Sequence, residues 1–130
     1  MMRLLHDRTG ADIATAVTVA DTRASRRQGL LGRDSLAEGE ALMLLPCSAI
    51  HTFFMRFAID VIFVDRDNRV VRTMSRMRPW RIAITWRAHS VIELPAGWLD
   101  TLARRGAAGH AVNVGDQVYL APVREERRAS

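Results

Sequence analysis

The order of apolar and polar positions divides the chain into short extended runs separated by turns, with two short helical stretches among them. Residues 2–6 (MRLLH) lead into Asp7, Arg8, Thr9 and Gly10, residue types that suit a turn. Ile13, Thr15, Val17 and Val19 then alternate with smaller residues, the period-two pattern of a half-buried strand. The two runs together predict an opening β-hairpin. Asp21 or Thr22 can cap a short helix reaching about Leu30, with Gly32 placed to end it and Arg23, Arg26 and Arg27 on its wet face.

From Ala41 the chain turns apolar. ALMLLP (41–46) predicts a buried strand closed by Pro46, and the long run 49–65 embeds His51, Arg56 and Asp60 in apolar sequence. Within it, 59–64 is β-branched or aromatic at nearly every position, as in a strand covered on both faces. Residues 65–68 suit a turn, and 69–74 return as the second strand of another hairpin. Pro79 breaks regular structure in the stretch that follows. Residues 90–94 predict a strand stopped by Pro95-Ala96-Gly97, then a helix over 98–105 ending at Gly106. Residues 111–114, a Gly115-Asp116 turn and 117–121 close the chain. Six or more short strands with two small helices predict a mainly β domain, a β-rich α+β fold built as a compact small barrel or two packed sheets. Residues 1–121 are expected to form a single globular domain, with 122–130 a frayed, charged tail.

Composition narrows the partners. A chain of 130 residues has no room for a second core, and 48% hydrophobic with 25% charged residues is the balance of a folded protein. Every basic residue is Arg, and the net charge of +5 favours anionic partners. A single Cys excludes an internal disulfide and a multi-cysteine zinc cluster, and no disulfide-linked partner is expected. No apolar run approaches the ~20 residues of a membrane helix, so no membrane partner is expected. The opening residues lack a secretory hydrophobic region, and a cytoplasmic location is expected.

Four motifs in order, QGLLGR (28–33), FFMRFAIDVIFVDRDNRVV (53–71), VIELPAG (91–97) and a late Gly115-Asp116, resemble one small family. It is the uncharacterised bacterial and archaeal family filed as domain of unknown function 192, and the resemblance spans roughly 21–121. The resemblance implies a compact, mainly β domain and implies no particular activity. Members often carry Trp-Met-Lys-Asn where this chain has Phe54, Met55, Arg56 and Phe57, so the basic position is kept and the amide is not.

Polar residues stranded in apolar runs are the candidates for chemistry. An ionised Asp60 between Ile59 and Val61 costs several kcal/mol, in order of magnitude, unless it is paired or hydrogen-bonded. Arg56 shares its parity in an extended run, and Glu93 poses the same problem in VIELP. These residues predict one pocket formed by the 50–64 and 91–97 segments. Phe54 and Met55 would be its walls, and His51, Arg56, Asp60 and Glu93 its polar groups. Arg56 would favour a small polar or anionic ligand through paired hydrogen bonds. Two carboxylates could also divide acid and base roles. No nucleophile elbow or phosphate loop accompanies them, so a binding module without a cofactor is expected rather than an enzyme. Cys47, His51 and Met55 are four residues apart and on a helix would present soft metal ligands. The segment predicts strand or loop instead, and no metal is expected. The alternative partner is single-stranded nucleic acid, held by Arg76, Arg78, Trp80, Arg81, Trp86 and Arg87 within the 72–87 segment. No recognisable nucleic-acid module accompanies that set.

Overall fold

The period-two runs become strands in the computed structural model, which describes residues 1–105 and 110–123. The opening hairpin is β1 (Met2–His6) and β2 (Asp12–Ala20), followed by α1 (Arg23–Gln28) and β3 (Glu40–Leu44). Next come β4 (Ala49–His51), β5 (Ile59–Val64), β6 (Val70–Met77), β7 (Ile82–Ile84) and β8 (Ser90–Pro95). Helix α2 (Trp98–Arg104) and β9 (Val118–Pro122) follow. Seven strands form one sheet in the order β6-β5-β8-β3-β2-β1-β9, and β4 pairs with β7 in a separate ribbon. All neighbours are antiparallel except β2 and β3. The sheet curls until its two edge strands approach: Arg69 bridges Gln117, the Val70 N–H donates to the Asp116 carbonyl at 2.8 Å, and Val118 N–H donates to Asn68 at 2.9 Å. The result is a mainly β, nearly closed small barrel with two short helices.

Strand alternation divides the apolar side chains between two cores. Ile62 and Val64 of β5 join Leu4, Val17, Met43, Ile92, Leu94 and Val118 inside the curl, where Trp98, Leu99 and Leu102 of α2 plug one end. Ile59, Val61 and Phe63 point the other way, to Leu44, Val91 and the undersides of β4 and β7 at Ile50 and Ala83. Every residue of β5 is therefore buried, as its composition predicts for a strand covered on both faces.

Several local expectations shift. Thr22 caps α1 and exchanges hydrogen bonds with Ser25, but the helix stops at Gly29 (φ 46°) rather than at Gly32. Residues 111–113 form no regular strand, and Gly106, expected to end α2, lies outside the described residues. Pro122 belongs to β9, opposite Met2, instead of to a tail; 124–130 lie outside the described residues.

Candidate functional site

Parallel neighbours cannot be joined by a tight turn, so the chain between β2 and β3 must cross over one face of the sheet. Helix α1 lies in that crossover, and its arginines border a cavity of about 340 Å³ on the outer face of β3 and β8. Leu30, Leu44, Ile50 and Met55 form its apolar lining. Arg23, Arg26, Arg27 and Gln28 border it, and Cys47, His51 and Glu93 complete the polar set. Arg26 is half-buried, its Nη1 donating to the carbonyls of Asp21 at 3.2 Å and Leu45 at 3.3 Å.

Glu93 stands in the middle of β8, registered with Leu42 on one side and Val61 on the other. It is only 6% exposed, and no hydrogen-bond or ion-pair partner reaches its carboxyl among the described residues. Burial pushes its pKa from 4.5 up to about 7. Burial also raises the Cys47 thiol above its ordinary value, with the neighbouring Glu93 charge adding to the effect. Cys47 donates to the Ala49 carbonyl at 3.1 Å. The cavity thus holds a carboxyl poised near neutrality and a thiol held in its protonated form. The described residues contain no group of three His, Cys, Asp or Glu close enough to hold a metal ion.

Of the six residues expected to share one pocket, His51, Met55 and Glu93 line this cavity; Phe54, Arg56 and Asp60 do not. The 50–64 and 91–97 segments are neighbours through β5–β8 pairing, but Asp60 is registered with Leu94 and Val61 with Glu93. Cross-strand partners share a face and adjacent residues alternate, so the two carboxyls point to opposite sides of the sheet. Asp60 is wholly buried, and it accepts the N–H groups of Arg76 (2.8 Å), Gly97 (3.0 Å) and Leu99 (2.8 Å), the last two at the start of α2, where the N-cap Gly97 has no side chain of its own to do so. Its carboxylate is fully engaged with backbone donors. Arg56 is out in solvent, paired with Asp34 at 2.6 Å, because the strand begins at Ile59 and the shared-parity argument does not extend across the preceding turn. The arginines of α1, assigned by sequence to the wet face, are the cavity residues that sequence reasoning missed.

The Arg/Trp segment forms a different surface. Thr52 is wholly buried; its hydroxyl donates to the Arg78 carbonyl at 2.6 Å and accepts from the Arg81 N–H at 3.0 Å. Its carbonyl accepts from Trp80 N–H at 3.0 Å. This junction sets the two loops side by side, so that Phe54 lies 4.7 Å and Phe53 5.7 Å from the Trp80 ring, with His51 stacked on Phe53. Phe54 (φ 64°) and Trp80 (φ 65°) both occupy the left-handed region, which bulky residues rarely adopt. Both are exposed, as are Ile82, Ile84 and Trp86, the last 89% so. Arg78 and Arg81 are exposed on either side of Trp80 in the chain, and Arg87 is exposed next to Trp86 in a separate depression with Val71, Arg72, Ile84 and Thr85, whereas Arg76 turns to Asp100 of α2 at 2.7 Å.

A profile of DUF192, described as an uncharacterised ACR family, matches residues 5–119, nearly the whole described fold. The chain belongs to the DUF192 family. Its relatives include a UPF0127 protein of Thermococcus sibiricus, 34% identical over 119 residues, covering 87% of this chain and 70% of the relative. Another, from Pyrococcus abyssi, is 38% identical over 109 residues, covering 78% and 83%. Two solved structures share the fold at a TM-score of 0.73 and 20% identity. One is a protein of unknown function from Novosphingobium aromaticivorans (91% of this chain, 82% of that one). The other is a putative transcription regulator from Sinorhizobium meliloti (91% and 90%). At that identity they attest the fold alone. Three of the stretches that carry the DUF192 resemblance meet at the cavity: 28–33 through Leu30 and Leu31, 53–71 through Met55, and 91–97 through Glu93. The same family assignment leaves activity open, since the relatives are themselves uncharacterised.

Proposed function

We propose that this protein is a small-molecule binding module whose site is the cavity over Glu93. The observation that carries this reading is the buried Glu93 carboxyl, which faces about 340 Å³ of space with no partner among the described residues. Its oxygens open onto that space, and a charge-assisted hydrogen bond to them contributes ~1.5–3 kcal/mol to the binding of a ligand that supplies it. Apolar walls with a few convergent polar groups are the ordinary make-up of a ligand pocket. Binding rather than catalysis fits the polar set, because Cys47 is held as a thiol and the second carboxylate, Asp60, faces the other core. The test is a thermal-shift screen of small metabolites of every charge class. A true ligand raises the melting temperature of the full chain and does so no longer in Glu93→Leu, which removes the carboxyl that faces the cavity. The reading fails if no compound stabilises the chain, or if the stabilisation survives in the Leu variant.

A second reading rests on the aromatic ridge around Trp80. Stacked, exposed aromatics flanked by Arg78 and Arg81, with Arg87 next to Trp86, are the components of a sequence-tolerant single-strand surface. Binding of a labelled oligonucleotide is then expected to weaken steeply with salt and to fall at least about tenfold in Trp80→Ala and Trp86→Ala. Absence of binding at low salt removes it.

A further inference from the structure

The cavity is electrically two-ended. At the sheet end the Glu93 carboxyl sits among Leu44, Ile50 and Met55, without a donor among the described residues. At the helix end Arg23, Arg26 and Arg27 have no carboxylate partner among the described residues, and Arg26 is anchored by carbonyls alone. No ion pair joins Glu93 to any of the three, although all four border the same space. An acid and its natural counter-charges therefore share one cavity without neutralising each other.

That division selects among ligands by charge. A simple anion would satisfy the arginines and leave Glu93 beside it without a donor. A simple cation would satisfy Glu93 and leave the three arginines facing the same space without a counter-charge. A molecule carrying both charges answers both ends at once, and its connecting methylenes would lie along the leucine, isoleucine and methionine walls. We infer that the cavity takes a small zwitterion, its ammonium end on Glu93 and its carboxylate or phosphate end at the arginines of α1. The inference rests on the binding-module reading and names the ligand class for that same site.

Calorimetry on the full chain tests it with a ladder of ω-amino acids: glycine, β-alanine, γ-aminobutyrate and ε-aminocaproate. Each is compared with the alkyl carboxylate and the alkylamine of the same length. A charge-assisted hydrogen bond contributes ~1.5–3 kcal/mol, so the best amino acid should bind at least about tenfold more tightly than either of its singly charged analogues. The length at which affinity peaks reports the distance between the two ends. Glu93→Gln should abolish the advantage over the carboxylate. The double variant Arg23→Gln/Arg27→Gln, altered only at exposed helix positions, should abolish the advantage over the amine. Should Glu93→Gln fail to fold, the ladder on the unaltered chain and the arginine variant still decide. Equal binding of a carboxylate and its amino acid overturns the zwitterion and leaves the cavity as an anion site. A silent ladder alongside a hit from the metabolite screen overturns the zwitterion alone; silence in both overturns both.

Discussion

Replacing Glu93 by Gln keeps the shape of the side chain and removes its titration. In the folded chain burial raises the Glu93 pKa from 4.5 to about 7. At about 1.4 kcal/mol per pH unit, that difference corresponds to about 3 kcal/mol. The sign follows from which state holds the proton more tightly. Below about pH 4.5 Glu93 is protonated whether folded or unfolded, and it imposes no electrostatic penalty. As the pH rises towards 7 the unfolded chain releases the proton first, so the folded state loses stability. Above about pH 7 both states are ionised and the loss is complete. Urea unfolding of the two proteins from pH 4 to pH 8, extrapolated linearly, gives both stabilities. The Gln variant should gain about 3 kcal/mol on the natural chain across that interval. An amide bonds differently from a carboxylic acid, but that offset does not change with pH. Groups such as Asp116 and Glu40, whose pKa values are lowered in the fold, titrate in both proteins and cancel in the difference. A difference that stays constant within about 1 kcal/mol from pH 4 to pH 8 would refute the buried, unpartnered Glu93.

Three further outcomes follow from single contacts. Asp60→Ala leaves three N–H groups, one buried and two partly buried, without an acceptor and should destabilise the fold by roughly 2–5 kcal/mol in chemical unfolding; an unchanged midpoint would contradict the clamp. Thr52→Val removes the hydroxyl that joins Arg78 to Arg81 and should cost ~1–3 kcal/mol. Near-ultraviolet circular dichroism should register the loosened Phe54–Trp80 pair, and an unaltered spectrum would count against the junction. Cys47 should react with iodoacetamide at neutral pH more slowly in the folded chain than in urea, because burial raises its pKa; equal rates would place the thiol in solvent.

The period-two runs and their turns were legible because each hairpin is local: β1–β2 and β5–β6 need only the residues between them. The two stranded carboxyls were legible too, as single acids in apolar strands. What sequence could not supply was the register of β5 against β8. A shift of one residue would pair Asp60 with Glu93 and put both carboxyls on one face, and nothing in either segment alone excludes it. The role of the α1 arginines was hidden for a similar reason. A six-residue helix with three arginines looks solvated by itself, and only the parallel pairing of β2 with β3 brings it over the sheet face that carries Glu93. Pro79 correctly marked irregular backbone, but the placement of Trp80 beside Phe54 depends on Thr52, nearly thirty residues earlier, gathering the two loops.

The near-closure of the barrel decides where the sheet parts first. Its central strands are held by ladders, with three registered pairs between β3 and β8 and six between β5 and β8. The seam between β6 and β9 has one bridge and a few flanking backbone hydrogen bonds. Opening free energy follows the bonds and apolar contacts that must break, so amide protons along the seam should exchange ahead of those in β5, β8 and β3. Glu93 stands on β8, two strands in from the β6 edge, with β3 beside it. The molecule can therefore breathe along its seam while the floor of the cavity stays shut.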